Sequence, residues 1–132
     1  MSLVTLRQIF KACAEDTRLR ILSLLSGNDL TVKEICAYLG ISQPTISKHL
    51  ARLRILKIVL DKRKGNLVYY ALNRNLDSPQ VKIINFIVSQ FQGVDTFRKD
   101  KEALHKEKDG SGPSLSPDKP PVKDNQDKEG EI

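Results

Sequence analysis

Residues 31 to 66, TVKEICAYLGISQPTISKHLARLRILKIVLDKRKGN, read as a helix, a tight turn, a second helix rich in polar and basic side chains, and a basic hairpin. Thr31 stands three residues before Glu34, the spacing of a capping box. Leu30 and Ile35 flank that cap as a hydrophobic staple. Val32, Ile35, Cys36 and Leu39 then recur at helical spacing, so one face is apolar. Gly40 follows Leu39, where a helix closes in the left-handed conformation at little steric cost to glycine. Ser42 is placed to cap a new helix, with Pro44 in its first turn. Gly40 and Ile41 alone lie between the two segments, a short helix-turn-helix connection.

The second helix has a divided surface. Ile46, Leu50 and Leu53 make an apolar stripe for a core, and Gln43, Thr45, Ser47, Lys48 and Arg52 fall outside it. Amides, hydroxyls and cations are the groups that pair with base edges and phosphates, and the short polar ones occupy the N-terminal half, where a recognition helix meets bases. Many polar helix faces are simply solvated, so the neighbouring segments decide between the two readings. Residues 58 to 72 supply one neighbour, a hairpin with Gly65-Asn66 at the turn and Val68, Tyr69 and Tyr70 in the returning strand. Lys62, Arg63 and Lys64 cluster at its tip, which favours an anionic partner over a merely solubilising loop.

Three segments carry a family resemblance: EDTRLRILSLL (15 to 25), VKEICAYLGISQPTISKHLARL (32 to 53) and DKRKGNLVYYAL (61 to 72). The chain resembles winged-helix repressors of the ArsR/SmtB family over about residues 3 to 92. The resemblance implies a mainly α fold with a small β-hairpin wing, a winged helix-turn-helix that dimerises through its first and last helices. It further implies a homodimer that binds operator DNA and represses transcription until an inducer arrives. The dimer leads to an expected inverted-repeat operator in double-stranded DNA, and a cytoplasmic location is expected from the absence of a signal-peptide pattern. The expected DNA contacts are Ser42, Gln43, Thr45, Ser47, Lys48, His49, Arg52, Lys62, Arg63, Lys64 and Asn66. For His49, phosphate contact and local packing both remain open.

Charge is distributed to match. The 132-residue chain has a formal charge of +6, with 16 basic and 7 acidic residues in positions 1 to 99. Positions 42 to 66 hold 7 basic residues against the single acid Asp61. Positive charge is thus concentrated on the proposed reader, as phosphate neutralisation requires.

The flanks supply a frame. Residues 2 to 13 place Leu6, Ile9, Phe10 and Cys13 on one helical face. Asp16 is placed to cap a second, strongly apolar helix ending at Gly27-Asn28, and Ser78-Pro79 opens a late one. Val81, Ile84, Ile87, Val88 and Phe91 stripe that late helix, with Ile83 and Phe86 off the stripe, so it is apolar over too wide an arc for a surface helix. Leu6, Ile9, Phe10, Ile84, Ile87 and Phe91 are therefore expected at a subunit interface, the alternative being a thicker monomer core. A domain over 1 to 99 is expected, followed by a disordered charged tail over 100 to 132, rich in Pro, Gly and Ser. No apolar run has the length of a membrane span, and the start lacks the pattern of a signal peptide.

Sensing chemistry is sparse. The family's arsenic site uses a Cys-x-Cys pair, and the matching positions hold Thr31 and Lys33. Its other common metal site uses Asp and His on the last helix, and residues 83 to 91 offer no Asp, Glu or His. No cofactor is expected. Cys13 and Cys36 remain as candidate thiols for a soft ion or for oxidation, although both sit at apolar helical positions. His105 lies in the expected tail. No nucleophile with a base, paired carboxylates beside a His, or phosphate-cradling glycine loop marks an enzyme. A winged helix serving only protein contacts would carry apolar side chains where Gln43, Thr45, Ser47 and Lys48 stand.

Overall fold

The computed structural model describes residues 1–108. Helix α1 (Leu3–Cys13) starts at Ser2, whose hydroxyl accepts from the Thr5 N–H at 3.1 Å. Helix α2 (Asp16–Leu25) is capped by Glu15, not by Asp16, through its carboxylate and the Arg18 N–H at 2.9 Å. The cap falls where the backbone is still extended, and that is Glu15 with φ −128° and ψ 127°. Ile21, Leu22, Leu24 and Leu25 of α2 are all fully buried and form the centre of the core.

A short strand β1 (Leu30–Thr31) leads into helix α3 (Val32–Leu39). The capping box is complete: Thr31 Oγ1 accepts from the Glu34 N–H at 3.2 Å, and Glu34 Oε1 accepts from the Thr31 N–H at 2.9 Å. Gly40 closes α3 at φ +69°, the left-handed region where a side chain would be strained. Helix α4 (Gln43–Ile55) follows, with Pro44 in its first turn. Ser42 has the extended backbone of a cap but makes no side-chain cap bond; its hydroxyl donates to Thr45 Oγ1 at 3.0 Å.

Strands β2 (Val59–Lys64) and β3 (Leu67–Leu72) form the hairpin in the register Val59↔Leu72 to Lys64↔Leu67. Gly65 takes φ +61° at its turn. The sheet has three strands rather than two, because β1 pairs with β3 through Leu30↔Tyr70 and Thr31↔Tyr69. A two-stranded hairpin is marginal by itself, and β1 anchors this one to the start of α3.

Helix α5 (Pro79–Ser89) is capped by Ser78 and followed by a 3₁₀ turn (Phe91–Gly93) and helix α6 (Asp95–Lys108). The boundary expected between residues 99 and 100 is therefore corrected: it falls inside α6. Phe97, Asp100 and Leu104 are buried, at i, i+3 and i+7, and seat α6 on the rest of the domain. Arg20 of α2 grips Asp100 with two bonds, Nε to Oδ2 and Nη2 to Oδ1, each 3.0 Å. Arg20 Nη2 also donates to the Leu39 carbonyl at 3.3 Å, so one side chain joins α2, α3 and α6. The expected disorder of residues 109 to 132 lies outside the described residues.

Asp100 is 5 % exposed, and removing one partner of a buried ion pair leaves the other uncompensated. Asp100→Ala is expected to destabilise the fold by about 3 kcal/mol, read from the urea midpoint at unchanged slope. A loss below about 0.5 kcal/mol, the level of an ordinary surface change, contradicts that role for the pair.

Candidate nucleic-acid interface

The outward surface of α4 is set by what its inner surface buries. Ile46, Leu50 and Leu53 are at most 1 % exposed, and His49 joins them at 6 %. The opposite side presents Gln43, Ser47, Lys48 and Arg52 to solvent, with Thr45 half-buried at the edge. Ser42 is half-buried and its hydroxyl donates to Thr45 Oγ1 at 3.0 Å, which shapes the start of α4. Pro44 and Ala51 are exposed on the same outer surface, and sequence reasoning passed over both because neither carries a polar side chain.

His49 is a correction among the expected DNA contacts. Its ring faces the core, with Nδ1 at 3.2 Å from Arg18 Nη1. A guanidinium only donates, so Nδ1 accepts and the ring proton belongs on Nε2. Glu15 Oε2 lies 3.7 Å from the same nitrogen, but the Arg18 bond makes that pair the weaker contact. Arg18 also donates to the carbonyls of Ala12 at 2.7 Å and Lys11 at 3.3 Å, the last turn of α1. Burial works against the Arg18 charge, Glu15 supports it, and Arg52 opposes it. His49 and Arg18 thus fasten α4 to α1 and α2, and His49 helps set how α4 sits.

The wing flanks this surface. Lys62, Arg63, Lys64 and Asn66 are all exposed. Asp61 does not dilute their charge freely, because Arg54 at the end of α4 holds it at 3.0 Å. That ion pair links the last turn of α4 to the root of the wing. Lys64 lies 5.6 Å from the centre of the Tyr69 ring, within cation–π range. Lys57, between α4 and β2, takes φ +59°, and its carbonyl accepts from Asn73 Nδ2 at 2.9 Å. The chain reverses there without a glycine because β3's end secures it.

The expected interface residues divide. Ile9 and Ile84 are at most 2 % exposed within one chain and belong to its own core, which corrects their assignment to a subunit contact. Leu6, Ile87 and Phe91 are half-buried, and the Phe91 ring lies 4.3 Å from that of Phe97. Phe10 is 57 % exposed and Phe86, off the expected stripe, is 69 % exposed.

The donor set at the family's arsenic positions does not fit a soft ion. Thr31 Oγ1 is committed to the Glu34 cap, and Lys33 is an exposed cation. Among the described residues no group of three or more His, Cys, Asp or Glu side chains comes together to hold a metal. The two thiols are held neutral. Desolvation raises Cys13, partly offset by Arg18, and pushes Cys36 up to about 11.

A helix with a buried inner stripe, a polar outer surface and a cationic hairpin beside it defines a winged-helix DNA reader. Residues 15–61 match the model of the bacterial regulatory protein, arsR family. The chain is 39% identical over 83 residues to the transcriptional repressor SdpR of Bacillus subtilis (strain 168), covering 62% of this chain and 92% of that one. It is 42% identical over 86 residues to the arsenical resistance operon repressor of Escherichia coli (strain K12), covering 64% and 74%. HlyU from Vibrio cholerae N16961 superposes with a TM-score of 0.57 at 32% identity, covering 67% of this chain and 92% of that one. HlyU is named a transcriptional activator. The chain belongs to the ArsR family, and it is a DNA-binding transcription regulator, not an enzyme. Within the described residues no helix is long and apolar enough to cross a membrane.

The Cys36 thiol gives a pH signature. Its folded pKa lies above the ordinary 9.0, so its contribution is fully present below pH 9 and is lost as pH rises towards about 11. Urea stability is expected to fall over that interval in the wild type and to fall less steeply in Cys36→Ala. Parallel profiles for the two proteins contradict a buried, neutral thiol.

Proposed function

We propose that the chain is a homodimeric, cytoplasmic repressor that holds an inverted-repeat operator until an inducer releases it. The observation that carries the reading is the exposed polar side of α4 joined through Arg54–Asp61 to three exposed wing cations. Gln43, Thr45 and Ser47 read base edges in the major groove; Lys48, Arg52, Lys62, Arg63 and Lys64 hold phosphate, and Asn66 accompanies them at the wing tip. Two copies place their α4 helices roughly 34–36 Å apart on successive turns of one duplex face. Repression rather than activation follows the relatives named repressors, SdpR and the arsenical resistance regulator.

Changing Lys62, Arg63 and Lys64 together to Ala is expected to weaken binding to all sequences. The slope of log affinity against log salt should flatten by about 0.9 for each phosphate no longer neutralised. An unchanged slope removes the wing from the interface. Changing Thr45 and Ser47 is expected instead to erode discrimination between operators at a constant slope.

Dimerisation uses the apolar side chains that one chain leaves uncovered. Leu3, Leu6 and Phe10 share a face of α1 by i, i+3, i+7 spacing, and Phe86 projects from α5. Phe86→Glu leaves the core of a single chain intact, because the ring is exposed there, and places a charge in the contact between copies. Sedimentation should show a folded monomer for this variant and a dimer for the wild type at micromolar concentration. A dimeric Phe86→Glu protein moves the interface elsewhere.

A further inference from the structure

Where α2, β3, α5 and α6 meet there is a cavity of about 580 Å³, the size of a small-molecule site. Its lining mixes apolar and charged side chains with neutral polar ones, Asn85, Ser89 and Gln92, and the exposed imidazole of His105. Leu72, Val88, Phe91 and Phe97 are apolar; Arg74, Arg98 and Lys101 outnumber the one carboxylate in the lining, Glu102. Arg74 is engaged by Asp29 at 3.4 Å, and Arg98 by Asp95 and Glu102 at 3.3 Å each. Lys101 is half-buried, and no carboxylate among the described residues pairs with it.

A second observation is independent of charge. Ser23 also lines this cavity, is 1 % exposed, and its hydroxyl has no hydrogen-bond partner among the described residues. Buried hydroxyls are nearly always paired, because an unmade bond there costs stability. A ligand atom that accepts from Ser23 Oγ removes that cost. One available ammonium beside an apolar wall suits a monoanion with a hydrocarbon body. A phosphate dianion is served better by several convergent donors.

We propose that this cavity binds an amphipathic organic acid, with its carboxylate paired to Lys101, its hydrocarbon part against Leu72, Val88, Phe91 and Phe97, and a hydrogen bond from Ser23, and that this acid is the effector. The effector half rests on the repressor reading above; the binding half does not. The site joins β3, which carries the wing, to α5, which carries Phe86 of the proposed contact between copies. A ligand held between those elements favours one arrangement of wing and dimer over another, and shifts DNA affinity by the difference in its own affinity for the two.

The test titrates the full chain with phenylacetate and octanoate, and with the neutral phenylacetamide and octanamide, by calorimetry and amide-proton NMR. The acids are expected to bind at up to millimolar concentration and to move the resonances of Ser23, Leu72 and Lys101. The amides should bind about tenfold more weakly, as for loss of a charge-assisted bond. Lys101→Gln should weaken the acids by about the same factor and leave the amides unchanged. Ser23→Ala, which breaks no existing hydrogen bond and so should fold, should weaken acids and amides alike. Absence of acid binding, equal binding of acid and amide, or an unaffected Lys101→Gln overturns the site. The second arm measures DNA affinity with and without the acid. An acid that fills the cavity without altering DNA affinity overturns the effector role. A wild type that binds no DNA overturns that role together with the repressor reading, while the titration still decides the cavity.

Discussion

The inner stripe of α4 is the interaction on which the rest depends. Helix α4 buries one side and exposes the rest, so its fixation comes from that one side. Ile46, Leu50 and Leu53 supply the apolar part of that fixation by packing into the core centred on α2. His49 adds a directional bond to Arg18, which itself holds the end of α1. Apolar packing sets how deeply α4 sits but tolerates some rotation about its axis. A hydrogen bond to a guanidinium already committed to two carbonyls tolerates much less. The polar outer residues consequently face outward at one fixed angle.

The wing is placed by the same economy of contacts. Its strands expose most of their side chains, so the hairpin has little core of its own. Three ties compensate: β1 pairing along β3, Arg54 holding Asp61, and Asn73 securing the reversal at Lys57. Each tie runs to the helix-turn-helix or to its flanks. Wing and α4 are therefore held in one spatial relation, as the proposed joint contact with base edges and phosphates requires.

Helix α6 extends this plan. Its composition is strongly charged, yet Phe97, Asp100 and Leu104 turn inward on α2 and α3. The Arg20–Asp100 pair fixes its position, and the Phe91–Phe97 contact ties it to the turn after α5. The cavity between α6, α5 and β3 exists because α6 folds back in this way.

The sequence by itself determined what short-range chemistry can determine. The Thr31–Glu34 box, the left-handed Gly40, the Ile46–Leu50–Leu53 stripe and the Gly65-Asn66 turn all lie within a few residues of the structure they specify. Each is stated by spacing alone, and the outward polar surface of α4 follows from the stripe by exclusion. Tertiary structure decided whatever depends on groups distant in the chain. β1 is two residues long and exists only because β3 lies beside it. His49 stood open between phosphate contact and packing until Arg18, 31 residues away, drew it inward. Ile9 and Ile84 looked like interface residues until their own chain covered them. Residues 100 to 108 looked like tail because charge dominates their composition. Leu104 takes part in burial, and Asp100 is stabilised by an arginine 80 positions earlier, a partner no local pattern could announce. The physical reason is common to all four: burial and pairing are properties of an environment, and a one-dimensional pattern records only one side of each contact.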